Sequence, residues 1–299
     1  MSIPFVTNHE VVPGRVDQVS PLIRRVTAPN PGPFTFKGTG TYIVGRGDVA
    51  VIDPGPASEA HLAALVAALQ GERVRHILVT HTHLDHSPLS HPLQARLGGE
   101  ILAFGPHGSG RPGFEIGTVH VEEGGDLAFA PDRRLNDREI VSGPNYTIEV
   151  VATPGHTSNH LCFALVEENA IFTGDHVMAW STSVIVPPDG DMTAYLASLD
   201  RLLQRGDEIL WPTHGPPVHD PQPFLRAFIA HRQAREAAIL ACLRGGMTGI
   251  REIVARVYAS VDVRLHPAAA LSVRAHLEKL MREGRVVPGA PFEGPYTAL

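Results

Sequence analysis

The sequence predicts an α/β module followed by a helical module with the outline of a winged helix. Three observations carry this. Up to about Pro223, short apolar runs alternate with helical periodicity and turn residues. Polar, ligand-type side chains stand directly after several of those runs. Beyond Pro223, apolar residues recur at helical spacing until the short run "GRVV" at 284–287.

The elements follow in order. Residues 41–56, "TYIVGRGDVAVIDPGP", hold two β-rich runs around Gly45-Arg46-Gly47-Asp48 and predict a hairpin. Residues 58–74 predict a helix with Ser58 as N-cap and Gly71 at its C-terminal end. "RHILVT" (75–80) is a short strand buried on both faces. Further strands are expected at 100–104, 147–153, 162–166, 170–174 and 208–213. Between Gly105 and Gly143 the chain is rich in Gly, Pro and charge, which predicts a loop with short strands. Three helices should follow Pro223. One runs from Phe224 to about Leu243, a second carries Ile250 to Tyr258 with Thr248 as N-cap, and a third carries Val273 to Met281, between Pro267 and Gly284. The last residues, Pro/Gly-rich, should be irregular.

Composition narrows the class. The chain has 299 residues, 43% hydrophobic and 19% charged, with mean hydropathy near zero, as in ordinary globular proteins. No apolar run is long enough for a bilayer, and the N-terminal stretch does not read as an export signal. Cys162 and Cys242 make no disulfide framework and should be inert core residues in a reducing cytoplasm. The net charge of −6 argues against a general nucleic-acid binder. Yet residues 225–287 hold 11 basic and 5 acidic side chains, which marks a second module.

Chemistry concentrates at "THTHLDHS" (80–87), which places His81, His83, Asp85 and His86 within six residues after a buried strand. His81 and His83 can point together from an extended loop. Asp85 and His86, where the chain bends into a helix, can point at a second position. Imidazole suits zinc, iron or manganese, and a carboxylate admits harder ions. His156 in "TPGHT", Asp175 in "FTGDH" and His214 in "WPTHGP" each follow an apolar strand in the same way. An Asp can bridge two cations, one on each oxygen. Asp53 in "VIDPG" also ends a strand and is placed to orient a histidine ligand. His176, next to Asp175, is a candidate second donor of this kind or a proton carrier. The shared form predicts several strands of one sheet aiming ligands at one edge.

This set, in this order, resembles the metallo-β-lactamase superfamily over roughly residues 20–220. The resemblance implies an αββα sandwich and metal-assisted hydrolysis. It implies one divalent metal on His81, His83 and His156, a second on Asp85, His86 and His214, and Asp175 bridging both. Zinc is the first choice of ion, with manganese or iron admitted by the same donors. Asp85 or Asp175 would handle the proton at the nucleophile. Residues 174–183, 187–192, 212–217 and 231–236, with the C-terminal module, look like the beta-lactamase-like protein 2 (LACTB2-like) group. The catalytic module is set at 1–222 and the winged-helix-like module at 223–299.

The best-understood animal member of that group cleaves single-stranded RNA. That implies a phosphodiesterase, with Arg232, Arg235, Arg251, Arg274 and Arg282 as phosphate contacts. Against it stands the 6% aromatic content, with no stacking platform in view. The alternative is a small ester or thioester hydrolase resembling glyoxalase II, which has the same seven ligands. A true β-lactamase is disfavoured, since those usually replace a ligand of the second metal and are exported. A non-catalytic regulator with a DNA-binding winged helix is disfavoured by the intact ligand set. Thr157 and Asn159 either touch substrate or begin a turn, and Trp180 should form pocket wall. His61, His91, His107, His120, His219, His231, His266 and His276 read as surface or packing residues. Oligomeric state is left open.

Overall fold

The computed structural model describes residues 3–111, 124–288 and 294–299. Seven strands form a first sheet in chain order: β1 (Val16–Gln18), β2 (Ile23–Thr27), β3 (Gly40–Arg46), β4 (Asp48–Ile52), β5 (Arg73–Leu78), β6 (Glu100–Ala103) and β7 (Arg133–Arg134). β1 to β4 pair antiparallel; β4 to β7 pair parallel. A second sheet holds β8 (Ile140–Gly143), β9 (Tyr146–Ala152), β10 (Leu161–Leu165), β11 (Ala170–Gly174) and β12 (Ile209–Pro212), in the order β12-β11-β10-β9-β8.

Alternation along β3 explains the layering. Tyr42 and Val44 face the second sheet and pack with Leu161, Phe163 and Phe172. Ile43, between them, faces the other way, in one core with Leu62 and Leu65 of α1 (Glu59–Ala68) and Leu93 of α2 (Ser90–Leu97). A strand apolar at every position is covered on both faces. The second sheet repeats this. Val151, Cys162 and Ile171 pack under Tyr195 and Leu199 of α3 (Met192–Leu203), and under Phe224 and Phe228 of α4 (Pro221–Arg244). The architecture is the expected αββα sandwich. Each fully buried Leu, Ile or Phe contributes about 1.5–3 kcal/mol, so the three apolar layers dominate stability.

Beyond the sandwich, the second half of α4 packs with α5 (Ile250–Val257), α6 (His266–Arg282) and the hairpin of β13 (Val286–Pro288) and β14 (Tyr296–Ala298). Three helices closed by a small β element match the winged-helix outline. No helix among the described residues is long and apolar enough to cross a membrane.

Several elements differ from expectation. The helix expected to reach residue 74 ends at Ala68, because Gly71 turns the chain at φ +80° and Arg73 and Val74 pair with β4. The irregular C-terminus contains β14 instead, paired with β13 from Tyr296 to Ala298. Gly249, not Thr248, occupies the N-cap of α5, and the Glu252 carboxylate accepts both their N–H groups at 3.4 Å. Strands β7 and β8 lie within the stretch expected to be loop with short strands. Residues 112–123 of that stretch, His120 included, lie outside the described residues. α3 is not foreseen from the sequence, because Pro187, Pro188 and Gly190 mask its start. Its N-cap, Asp191, accepts from the Thr193 and Ala194 N–H groups at 2.8 and 3.0 Å and pairs with Arg282 of α6 at 2.6 Å.

Asp191→Ala should therefore lower unfolding free energy by about 1–2 kcal/mol at pH 7, measured by urea denaturation. Burial opposes ionisation of Asp191, but Arg282 and the helix N–H groups hold its carboxyl below the ordinary value. Its contribution is thus full above the unfolded-state pKa of about 3.9. The gap between variant and parent should close as pH falls from there through the lower folded-state value.

Candidate metal centre

Ligand-type residues gather where strand ends from both sheets meet. This corrects the expectation of one sheet. Asp53 follows β4, and the 81–86 cluster follows β5, both in the first sheet. His156 follows β9, Asp175 follows β11 and His214 follows β12, all in the second. Packing the sheets face to face brings these ends to one edge.

Three groups of three donors form there, two of them sharing no residue and the third, His81, His86 and Asp175, lying between those two. In the first, His81 Nε2 and His156 Nε2 lie 3.0 and 3.2 Å from His83 Nδ1. In the second, His214 Nε2 and His86 Nε2 lie 3.0 and 3.4 Å from Asp85 Oδ2. Asp175 stands between them. Its Oδ2 is 3.9 Å from His156 Nε2, while its Oδ1 is 3.4 Å from His214 Nε2 and 3.6 Å from His86 Nε2.

Hydrogen bonds behind the donors settle which nitrogen each histidine offers. Asp53, fully buried, accepts His86 Nδ1–H at 2.9 Å. It also accepts the Thr80 N–H and the Thr80 and Thr213 hydroxyls, each at 2.8 Å. Thr80 Oγ1, its proton engaged by Asp53, accepts His81 Nδ1–H at 3.1 Å. His156 Nδ1–H donates to Val184 O at 2.7 Å, and His214 Nδ1–H to Gly38 O at 3.3 Å. Each of these four rings therefore turns its Nε2 towards the centre, the arrangement that ligating histidines require. The role foreseen for Asp53 is the one its geometry fits.

The electrostatics fit cations. Burial, reinforced by neighbouring histidines, keeps His81 and His83 well below the ordinary imidazole value, and His156 is lowered by burial too. All three are neutral donors at pH 7. Burial opposes ionisation of Asp85 and Asp175, but His86 and His214 overturn it and hold both carboxyls low. Burial likewise opposes a proton on His214, and Asp175 and Asp85 overturn it, raising the ring to about 10. His86 is raised for the same reason. Among the described residues, Asp85 Oδ2, Asp175 Oδ1 and Nε2 of His86 and His214 are buried and meet only one another, at ion-pair distances of 3.0–3.6 Å, and Asp85 Oδ1 is buried with no partner. Leaving each such atom unsatisfied costs about 1–3 kcal/mol. Divalent metal ions would take up the first four, displacing protons as they bind. Nitrogen and carboxylate donors suit zinc, manganese and iron alike.

Other candidates fall differently. Thr157 and Asn159 are buried. The Thr157 hydroxyl donates to Asn159 Oδ1 at 2.9 Å, and Asn159 Nδ2 donates to Thr82 Oγ1 at 2.8 Å, so they build the turn rather than meet substrate. His176 is not a donor to the ligands. Among the described residues its ring nitrogens have no partner, and burial, with His156 and Arg232, brings it down to about 3. At pH 7 the ring is neutral, with one N–H and no charge. Trp180 stacks on Phe36 at 4.8 Å and abuts Gly215, beside His214, as a wall should.

Arg232 and Arg235 are engaged within the protein. Arg232 is 2% exposed, hydrogen-bonded to Ser183 O and set over the Tyr195 ring. Arg235 donates to Val257 O and lies over Tyr258. Arg274 pairs with Glu278 and Arg282 with Asp191. Cys162 is core, its thiol pushed up to about 12 by burial. Sequence reasoning places His160 only in the turn after His156 and gives Ser183 no bond to the centre; His160 Nε2 accepts the Asp175 N–H at 3.3 Å, and the Ser183 hydroxyl donates to Asp175 O. A signal existed for Thr80 and Thr213. Each precedes a ligand histidine in a Thr-His pair, and both hydroxyls meet on Asp53.

This fold and donor set define a metal-binding hydrolase, and the comparisons agree. The metallo-beta-lactamase superfamily signature matches residues 35–214, and the beta-lactamase associated winged helix domain matches residues 250–290. The chain belongs to the metallo-β-lactamase superfamily and is one of its hydrolases. Within it, the chain is 29% identical over 290 residues to the beta-lactamase-like protein 2 homolog of Caenorhabditis elegans, covering 93% of this chain and 90% of that one. It is 32% identical over 232 residues to a protein named atrochrysone carboxyl ACP thioesterase from Aspergillus fumigatus, covering 77% and 67%. A crystal structure of a metallo-beta-lactamase family protein from Thermus thermophilus superposes with a TM-score of 0.74 at 26% identity, covering 94% of this chain and all of that one.

Asp53→Ala should strand three side-chain donors and free the His86 ring. Metal affinity should fall about 10–100-fold, read as bound metal per chain after dialysis against a competing chelator.

Proposed function

We propose that this chain is a two-metal hydrolase of acyl esters or thioesters. The carrying observation is Asp175, one oxygen turned to each donor group, which lets a single carboxylate bridge two ions. Zinc is the first choice by donor set. Two divalent ions held there activate water as a nucleophile near neutral pH and stabilise negative charge on the attacked oxygen. The protein's part is positional. His81, His83 and His156 would hold one ion, and Asp85, His86 and His214 would hold the other. Asp85, kept ionised, has a second buried oxygen, Oδ1, with no partner, which is placed to take the proton released by the nucleophile.

The substrate reading rests on two supports. A relative is named as a thioesterase. The arginines that would have gripped RNA phosphates are committed elsewhere: Arg232, Arg235, Arg274 and Arg282 all bind within the protein. Of the five arginines foreseen as phosphate contacts, Arg251 stays exposed, as do Arg226, Arg244 and Arg256 elsewhere in the module, so the support against RNA is the engagement of the other four. A small-molecule substrate fits better, in a cytoplasm that keeps the two buried cysteines reduced.

The test sets an acetyl thioester and p-nitrophenyl acetate against labelled single-stranded RNA, with zinc-loaded protein and His83→Ala prepared alongside. We expect ester or thioester turnover by the parent alone. RNA cleavage by the parent alone, with no ester turnover, overturns the substrate reading. Asp175→Asn should abolish turnover and lower the bound zinc below two per chain; full activity at unchanged stoichiometry would refute the bridging role.

A further inference from the structure

Arg25 is a buried cation without a carboxylate. It sits in β2, 4% exposed, and among the described residues no acidic group pairs with it. Burying a guanidinium costs several kcal/mol unless its hydrogen bonds are met, and an apolar side chain would fill this space at less cost. Arg25 Nη1 donates to Gly215 O at 2.6 Å, and Nη2 donates to Thr213 O at 2.9 Å. Those carbonyls lie immediately after and before His214.

The surroundings serve the same segment. The guanidinium lies over Tyr42, 5.4 Å from the ring centre, and the Tyr42 hydroxyl donates to Pro212 O at 2.6 Å. Gly40 leaves room for it, since a Cβ there would fall 2.1 Å from Arg25 Nε. Gly40 N–H itself donates to Thr213 O at 2.9 Å. Behind the ring, among the described residues, His214 has only a longer bond, 3.3 Å from Nδ1 to Gly38 O, while its Nε2 faces Asp85 Oδ2 at 3.0 Å. Its aim therefore depends on the backbone that Arg25 grips from both sides.

We infer that Arg25 is a positioning residue that holds His214 Nε2 against Asp85 Oδ2 and so sets the affinity of one metal position. The position is that of Asp85, His86 and His214. The position of His81, His83 and His156 draws on no atom that Arg25 touches. The inference rests on the two-metal reading above.

Two variants test it. Arg25→Lys keeps the charge but cannot reach both carbonyls. Gly40→Ala keeps Arg25 but displaces its guanidinium, at a backbone conformation any residue adopts. Zinc bound per chain is measured over graded free zinc set by a chelator, and thermal unfolding of the metal-free proteins checks folding. In both variants we expect one zinc step unchanged and the other weakened at least 10-fold. Two unchanged steps in folded variants would overturn the inference. So would a parallel weakening of both steps, which is what general destabilisation produces. If Arg25→Lys does not fold, Gly40→Ala decides. A single zinc step in the unaltered protein would instead refute the two-metal reading, and this inference with it.

Discussion

One carboxylate holds the functional edge together. Asp53 ends β4, receives Thr80 from the end of β5, Thr213 from the end of β12 and the ring of His86. Three strand ends from two sheets are thereby fixed to a single buried anion. Asp53 sits at φ +50°, a conformation few side chains accept, and the four donors offset that strain. Without such a hub, two sheets packed through apolar side chains could slide by fractions of an ångström at little cost. Metal donors set 3.0–3.6 Å apart do not tolerate that freedom. The hydrophobic layers bring the edge into being, and the hydrogen bonds on Asp53 give it one geometry.

Much of this was legible in the sequence, because ligands and strands are local signals. An apolar run followed by a histidine or aspartate reads the same in a sequence as in a fold. Every strand expected from 100 onward lies within a residue or two of its observed place. What was not legible is contact between distant segments. Nothing near Arg25 in the sequence points to Gly215, 190 residues away. The place of His160, its Nε2 beneath the Asp175 backbone, has no local signature either. The ends of the C-terminal module escape a local reading for a related reason. Tyr296–Ala298 becomes a strand only because β13 offers an edge, and no periodicity in three residues announces that.

The positive surplus of the C-terminal module illustrates a wider hazard. Summed charge suggests a face for phosphates. Geometry shows instead that several of these arginines and lysines join helices: Arg282 reaches Asp191, Lys279 and Arg285 reach Glu236, and Arg232 reaches Ser183. Charge that is neutralised or hydrogen-bonded within the protein offers little field to a ligand. Net charge is a statement about composition, and only pairing turns it into a statement about surface.

α4 crosses the boundary at which the sequence divides the chain. Phe224 and Phe228 belong to the sandwich, Ile239 and Leu243 to the C-terminal core, and Arg232 between them grips the loop whose next carbonyl, Val184 O, orients His156. The C-terminal domain as a sequence would cut it is therefore not a self-contained unit. A graft joined at residue 223 would inherit the metal ligands but lose the strut behind one of them. A graft that replaces this module must keep α4 through Arg232, a little over three turns, or brace His156 in another way.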